Sequence, residues 1–404
     1  MAEKEFSLQL FHNQLNQIFF SDIEIIKPKF KKRILDKKLI KILQKLNPIR
    51  ENSLIIVNDH DRSTPTAKII NLMRTAGFIS DPVTFIIATG THEFPVSVNP
   101  VKLTGAIKGD CIIIHDCDDE KNMVYLGKTP FGTEVAVNKA LIEYNNILTI
   151  NSVEPHYFAG FTGGIKSIIP GLASRKTVEQ NHRLAIKPES SLMKTENNPL
   201  HRDLWDAGNL LNSLQNIKTI QIVNHNENIL YMSVGSLEKS FIKAKKQALN
   251  IYATKFQKKF DHIISFVSPP LSETLYQAQK AMENTKKVLK RGGTFTLIAK
   301  CERGIGNHKF FQRLQQLGTP EKIVSSLTFE NYKFGDHKAY YWAELAMRAN
   351  LYYLGDISST DGSHAFMEKI TYKQLLGNIK RWIEKKETIL FDENGGMSVA
   401  YLKK

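Results

Sequence analysis

The sequence has few cysteines and no long apolar run, and both absences limit what the protein can be. It holds three cysteines, Cys111, Cys117 and Cys301, and no CxxC motif, which argues against a disulfide framework. No apolar run approaches the ~18 residues that suggest a membrane span. The first residues lack the basic and apolar regions of a signal peptide. We therefore expect a cytoplasmic protein.

Acidic residues are fewer than basic ones, and the formal net charge is +15. More than half of this excess lies between Lys27 and Lys45, where nine Lys or Arg residues face Asp36 alone. Interleaved Ile and Leu residues give the segment a helical apolar face. Such a helix can bind nucleic acid or a membrane surface. We interpret it as a solvated helix packed on a sheet, with neither partner, because no nucleic-acid motif accompanies the charge.

A chain of 404 residues is long enough for two domains. Apolar runs at 53–59, 83–88 and 147–151 predict buried strands, and a helix is predicted from Thr64 to about Gly77. Each strand is followed by polar residues, and in an open parallel α/β sheet ligands bind at that edge. The sequence therefore predicts an α/β fold with a site at the carboxyl ends of the strands.

The second half of the chain repeats this alternation. The runs 217–223 and 229–234 predict a hairpin. A fresh strand near Asp261 is followed by a helix through Gln277 to Leu289, which Arg291-Gly-Gly is expected to end. Further strands are predicted at 294–299, 350–356 and 388–391. We place the first domain at 1–258, completed by 392–404, and the second domain at 259–391.

A short glycine-rich segment carries the most informative residues. His156, Lys166 and His182 lie within Glu154–His182, which also contains Gly160, Gly163, Gly164 and Gly171. Imidazole transfers protons near neutral pH and binds metals of intermediate softness. A lysine without its proton forms covalent bonds. Glycines let backbone approach a ligand closely.

This segment closely resembles the nickel-pincer lactate racemase family. The resemblance implies two domains with Rossmann-like parallel sheets and an active site in the cleft between them. It also implies that Lys166 is covalently joined to a pyridinium mononucleotide carrying two thiocarboxyl groups, and that His182 is a ligand of its nickel. Proteins for cofactor biosynthesis and nickel insertion would be partners. The resemblance runs from about Ser53 to the end of the chain.

Other motifs match the same family. His92, which closes Ala88-Thr-Gly-Thr-His, and His156 match its two catalytic histidines, and one base on each face of C2 is the simplest arrangement for a racemase. Asp59-His-Asp-Arg62 resembles its Asp-x-x-Arg motif, with Asp59 contacting the cofactor and Arg62 the substrate carboxylate. Ser63 stands where the family usually has proline. Backbone N–H groups at Gly163 and Gly164 are expected to hold the cofactor phosphate.

Three residues of the second domain complete the predicted site. Gln277 and Lys280 are three positions apart on one helix face and would bind the substrate carboxylate. Tyr341 occupies the position where the lactate enzyme has tryptophan. This difference leaves the identity of the substrate more open than the reaction class.

The leading hypothesis is a racemase or epimerase of a lactate-like 2-hydroxy acid that transfers hydride to and from the nickel-pincer nucleotide. A C2 epimerase of a larger sugar acid on the same cofactor is the closest alternative. A zinc hydrolase using His92, His156 and His182 is another, but these histidines lack compact metal-ligand spacing and Lys166 would have no role. A basic nucleic-acid-binding protein with a vestigial site is the third.

Overall fold

The structure is a computed structural model that describes residues 23–49, 52–79, 82–211 and 216–403. The chain forms two compact units. The first unit is Phe30–Ile251, and the second combines Tyr252–Lys404 with the segment that ends at Lys29. Within the described part of the chain, no helix combines the length and the apolarity that crossing a membrane requires.

The first unit is built on a six-stranded sheet. Its strands, in spatial order, are Asn228–Ser236, Lys218–His225, Asn146–Ser152, Ser53–Asn58, Thr84–Ala88 and Cys111–Ile114. All neighbours pair in parallel except the first two, which form an antiparallel hairpin. Leu54 to Val57 are fully buried, because a strand covered on both faces needs a continuous apolar run. The predicted strands and the predicted hairpin are confirmed.

Helices and short turns surround this sheet. The helix predicted from Thr64 to Gly77 spans Thr66–Thr75 and buries Ile69, Ile70 and Met73. The basic segment is helical only at Asp36–Leu43, where Leu39 and Leu43 are buried. The remaining helices are Pro100–Thr104, Ala140–Glu143, Arg175–His182, Pro199–Gly208 and Leu237–Tyr252, with 3-10 turns at Glu120–Asn122, Gly164–Ser167 and Arg183–Ile186. Short strands lie at Met123–Lys128, Glu134–Asn138, Pro155–His156 and Gly160–Phe161.

The second unit contains another six-stranded sheet, and all its neighbouring strands are parallel. Its strands, in spatial order, are Ile23–Ile26, Ile389–Asp392, Phe260–Phe266, Leu289–Ile298, Asn350–Leu354 and Glu368–Lys369. Its helices are Leu275–Thr285, His308–Leu317, Pro320–Ser326, Asp336–Ala346, Ser359–His364 and Tyr372–Glu384, with 3-10 turns at Leu271–Glu273 and Lys286–Val288. The α/β class and the division into two units with parallel sheets agree with the sequence-based prediction.

The structure divides the chain differently from the predicted domains 1–258 with 392–404 and 259–391. The C-terminal strand Val399–Leu402 pairs with Ala253–Phe256, so the end of the chain packs in the second unit and not in the first. Strand Ile23–Ile26 also joins the second sheet, beside Ile389–Asp392. Long-range strand pairing, which the local sequence pattern does not reveal, sets both boundaries.

The predicted end of the Gln277 helix is also wrong. The helix ends at Thr285, and Arg291-Gly-Gly lies inside strand Leu289–Ile298. The register of this strand shifts beside Phe260–His262, and Gly292 has a φ of +77°. A Cβ on Gly293 would lie 2.5 Å from the carbonyl oxygen of Asp261. The two glycines therefore allow an irregular strand and do not end a helix.

Candidate active site

Three neighbouring parallel strands of the first unit each end in a candidate site residue. Asp59 follows Ser53–Asn58, His92 lies four residues after Thr84–Ala88, and His156 lies four residues after Asn146–Ser152. These strands are adjacent in the sheet, so their carboxyl ends lie at one edge. The sheet therefore brings residues from three separate sequence motifs to the position where open α/β sheets bind ligands.

His92 is held by carboxylates. Its Nδ1–H donates to Asp59 Oδ2 at 2.7 Å, and Asp61 Oδ2 lies 3.3 Å from the same nitrogen. Asp59 is buried, whereas about half of the His92 side chain is exposed. This contact places the proton of the neutral ring on Nδ1 and leaves Nε2 as the basic nitrogen. The role of Asp61 was not predicted from the sequence, although the residue stands inside the Asp-x-x-Arg motif.

His156 has the opposite arrangement. Its Nδ1 accepts a hydrogen bond from the backbone N–H of Ala159 at 3.3 Å, so the neutral ring carries its proton on Nε2. The ring stacks on Tyr157 and meets the edge of Phe158 at a centroid distance of 4.5 Å. Arg62 Nη1 lies 3.9 Å from Glu154 Oε2, a loose contact that leaves the guanidinium able to bind a carboxylate.

Lys166 lies in the 3-10 turn Gly164–Ser167. Its Nζ is 5.6 Å from the centroid of the Phe158 ring. Burial, and then the positive charge of Arg62, lower the pKa of Lys166 to about 7. At neutral pH, Lys166 is therefore a neutral amine in a large fraction of the molecules, and the neutral amine is the form that attacks an electrophile.

His182 is the last residue of helix Arg175–His182, which Ser174 caps by accepting a hydrogen bond from the Thr177 N–H. Its ring meets Phe158 edge-on at a centroid distance of 5.2 Å. Burial, and then the charge of Lys166, lower the pKa of His182 to about 3. The imidazole stays neutral over the physiological range, as a metal ligand must. The Phe158 ring thus contacts His156, Lys166 and His182.

Gly163 and Gly164 have a packing role in the structure. A Cβ on Gly163 would lie 2.6 Å from Val153 Cγ2, and one on Gly164 would lie 2.9 Å from the Phe241 ring. The Gly164 N–H donates to Gln221 Oε1 at 3.0 Å. These contacts explain both glycines without a ligand, and the expected cradle for a phosphate stays a prediction.

His201 is a buried histidine of the first unit that the sequence analysis did not predict as a site residue. His201 lies in the first turn of helix Pro199–Gly208, and its Nε2 accepts a hydrogen bond from Trp205 Nε1 at 3.2 Å. Burial, and then the charge of Lys166, lower its pKa to about 4. A lone histidine in a helix gives no sequence signal of such a position.

Three predicted site residues lie in the second unit. The Gln277 N–H donates to the capping side chain of Thr274, and Lys280 lies on the same helix. The ring of Tyr341 lies 4.6 Å from Lys286 Nζ, a cation that also pairs with Glu283. That Gln277, Lys280 and Tyr341 bind the substrate stays a prediction.

The zinc-hydrolase alternative required His92, His156 and His182 to share one metal. Among the described residues, the clusters of potential ligand atoms within 4.8 Å are Asp59, Asp61 and His92, and separately Asp116, Cys117 and Asp118. Neither cluster contains His156 or His182. The described geometry therefore does not support a shared three-histidine zinc site.

Comparisons with known proteins identify related sequences. Residues 4–193 match the lactate racemase N-terminal domain model, and residues 257–342 match the lactate racemase C-terminal domain model. The first match begins at residue 4, whereas the motifs that resemble the family begin at about Ser53. Lactate racemase from Thermoanaerobacterium thermosaccharolyticum is 30% identical over 305 residues, covering 73% of this chain and 71% of that protein. Lactate racemase from Lactiplantibacillus plantarum is 27% identical over 298 residues, covering 70% and 68%.

Solved structures show the same fold. The lactate racemase apoprotein from T. thermosaccharolyticum superposes with a TM-score of 0.80 at 22% identity, covering 93% of this chain and 95% of that chain. A protein from Thermotoga maritima superposes with a TM-score of 0.73 at 16% identity, covering 93% and 100%.

Proposed function

The chain belongs to the lactate racemase family of isomerases, and we propose that it interconverts the enantiomers of a lactate-like 2-hydroxy acid with the nickel-pincer nucleotide. The observation that carries this proposal is that the ring of Phe158 adjoins both Lys166 and His182. The pKa of Lys166 is lowered to about 7 and that of His182 to about 3, so both side chains are available as neutral nitrogen donors. A covalently attached metal cofactor requires a neutral amine to form the bond and a neutral imidazole to bind the metal.

The donor chemistry of the first unit fits this cofactor. Lys166 would supply the amine that holds the nucleotide covalently, and His182 would supply an imidazole, a nitrogen donor suited to nickel. When bound, the nucleotide would supply the acceptor and donor of hydride for C2 of the substrate. The aromatic ring of Phe158, which adjoins both side chains, gives this part of the site an apolar wall.

His92 and His156 complement each other as base and acid. Asp59 holds the His92 proton on Nδ1, so Nε2 of His92 accepts the hydroxyl proton of one enantiomer. The hydrogen bond from Ala159 keeps the neutral ring of His156 with its proton on Nε2. To act as the acid, His156 would take up a second proton on Nδ1 in place of this hydrogen bond and would then give its Nε2 proton to the substrate oxygen on the other face, which leaves Nε2 as a base for the next turnover. The two histidines exchange roles when the opposite enantiomer reacts.

Substrate recognition rests on charge. Arg62, with its loose contact to Glu154, binds the carboxylate through its planar fork. Lys280 and Gln277 of the second unit are proposed to add a cation and a hydrogen bond. Tyr341 stands where the lactate enzyme has tryptophan, and this difference bears on the size of the substrate side chain that the site accepts. A C2 epimerase of a larger sugar acid therefore remains the alternative on the same cofactor.

The function is tested by racemisation. Protein produced in cells that make the cofactor and insert nickel is incubated with each enantiomer of lactate, and then with longer and polyhydroxylated 2-hydroxy acids. We expect each enantiomer of the preferred substrate to reach the same mixture without added nicotinamide cofactor, as measured by chiral chromatography. Nickel-loaded protein that interconverts no member of this panel would contradict the proposal.

A further inference from the structure

A buried carboxylate lies next to the residue that precedes His182. Asp203 is fully buried in helix Pro199–Gly208. Its Oδ1 accepts a hydrogen bond from Thr129 Oγ1, and its Oδ2 accepts from Thr133 Oγ1 at 2.8 Å and from Asn181 Nδ2 at 2.8 Å. A buried carboxylate that receives several hydrogen bonds fixes the groups that donate them, because each donor would lose its partner by moving.

Asn181 connects this carboxylate to the end of the His182 helix, Arg175–His182. Its side chain is fully buried, and Nδ2 also donates to the carbonyl oxygen of Leu200 at 3.2 Å. Both acceptors belong to helix Pro199–Gly208, so one amide joins the last turn of the His182 helix to a second helix. The residue directly after this amide is His182.

The other end of the His182 helix is tied to strand Glu134–Asn138. Thr177 Oγ1 donates to the Glu134 carbonyl oxygen at 2.8 Å and accepts from the Ala136 N–H at 2.9 Å. Thr133, which donates to Asp203, directly precedes this strand. Asp203 therefore connects helix Pro199–Gly208 with the start of strand Glu134–Asn138. The His182 helix is hydrogen-bonded to this strand through Thr177 and to helix Pro199–Gly208 through Asn181.

The N-terminus of helix Pro199–Gly208 is itself anchored in the site. Asn198 caps the helix, and its Nδ2 donates to the Phe158 carbonyl oxygen at 2.8 Å. The Phe158 ring packs against His182 and lies near Lys166. Helix Pro199–Gly208 is therefore hydrogen-bonded through Asp203 to Asn181, the residue before His182, and through its N-cap to Phe158, whose ring packs against His182.

We propose that Asp203 is a positioning residue for His182, acting through Asn181 to hold the imidazole in the orientation that binds nickel. This inference rests on the proposed role of His182 as the nickel ligand. Partners that orient a metal ligand typically change metal affinity by about 10- to 100-fold when they are replaced. Asn181 directly precedes His182, so replacing Asn181 affects the orientation of the imidazole and leaves His182 itself in place.

The test compares three variants of the holoenzyme. Asn181→Ala removes the link, and Asp203→Asn keeps the shape of the side chain but removes its charge. Thr133→Val removes another hydrogen bond to the same carboxylate oxygen and leaves the link between Asp203 and Asn181 in place. Nickel loss to excess chelator is followed by visible absorption and by metal analysis, with His182→Ala as the reference for a missing ligand.

We expect Asn181→Ala to lose nickel about 10- to 100-fold faster than the unaltered enzyme, Asp203→Asn to fall between, and Thr133→Val to stay within about twofold although its melting temperature also falls. Equal nickel loss in all three variants, or loss in Thr133→Val as fast as in Asn181→Ala, would overturn the inference. If the unaltered holoprotein carries no nickel, the proposed function fails and not the positioning role.

The apoprotein provides an independent measurement. With ¹⁵N-labelled histidine, the ring signals of His182, assigned with His182→Ala, report its tautomer and surroundings. We expect these signals to shift or broaden in Asn181→Ala and to match the unaltered protein in Thr133→Val. Unchanged His182 signals in Asn181→Ala would overturn the positioning role whether or not nickel is ever bound.

Discussion

Replacing Lys166 with arginine should abolish cofactor attachment and lower racemisation by at least ~10³-fold, the scale seen when a covalent catalytic group is lost. Arginine has a similar length but does not lose its proton, so it cannot form the bond. The measurement is peptide mapping by mass spectrometry on holoenzyme, together with initial rates. The expected result is a cofactor adduct on the Lys166 peptide in the unaltered enzyme and none in the variant.

The pKa of Lys166 gives this prediction a second readout in the apoprotein. An amine whose pKa is about 7 is protonated and unreactive below pH 7 and neutral above it. Its rate of labelling by an amine reagent should therefore rise through pH 7 and level off, whereas an ordinary lysine keeps rising toward its pKa of ~10.4. Lys176, an exposed lysine on the His182 helix, is the internal control, and Lys176→Arg is the matched variant. A fully active enzyme with unmodified Lys166 would contradict covalent attachment.

Replacing either His92 or His156 with glutamine should lower the turnover number by about 10²- to 10⁴-fold, the usual contribution of a general acid or base. Both directions should slow, because each histidine is the base for one enantiomer and the acid for the other. Initial rates are measured from each pure enantiomer, with cofactor loading determined on the same samples.

His60→Gln is the control for this pair. His60 is adjacent to Asp59, its Nε2 lies 3.5 Å from Asp61 Oδ1, and its ring meets the edge of Phe94. It belongs to the same loop but has no proposed acid or base role, so its rate should stay within a few-fold of the unaltered enzyme. A variant at His92 or His156 that keeps full activity, or a loss in His60→Gln as large as theirs, would contradict the assignment.

The strands and the edge where the site lies could be predicted because their physical causes are local. Buried parallel strands need continuous apolar runs, such as Leu54–Val57, and polar residues that follow them must lie at one edge of the sheet. Asp59 and His92 are therefore neighbours in the structure although 33 positions separate them in the sequence.

The contacts that shape the site could not be predicted, because they depend on how distant elements pack. The hydrogen bond between Asn181 and Asp203 joins two helices, and the hydrogen bond from Thr133 requires a hairpin that the sequence analysis did not identify. The low pKa of His201 arises from its burial, which cannot be predicted from a single polar residue in a helix. The close packing of Gly163 against Val153 and of Gly164 against Phe241 could not be predicted either, and the role of these glycines in holding a phosphate stays a prediction.

The central claim is that C2 is inverted by hydride transfer, and C2-deuterated lactate in ordinary water tests it most directly. If lactate is a poor substrate, the C2-deuterated form of the best acid from the panel is used. The holoenzyme converts one labelled enantiomer to the mixture, and the C2 label is measured in both enantiomers by mass spectrometry. The account predicts that deuterium stays largely on C2, because hydrogen that moves as hydride does not exchange with water. Racemisation with rapid loss of the label to solvent would show removal of a proton from C2 and would contradict the account.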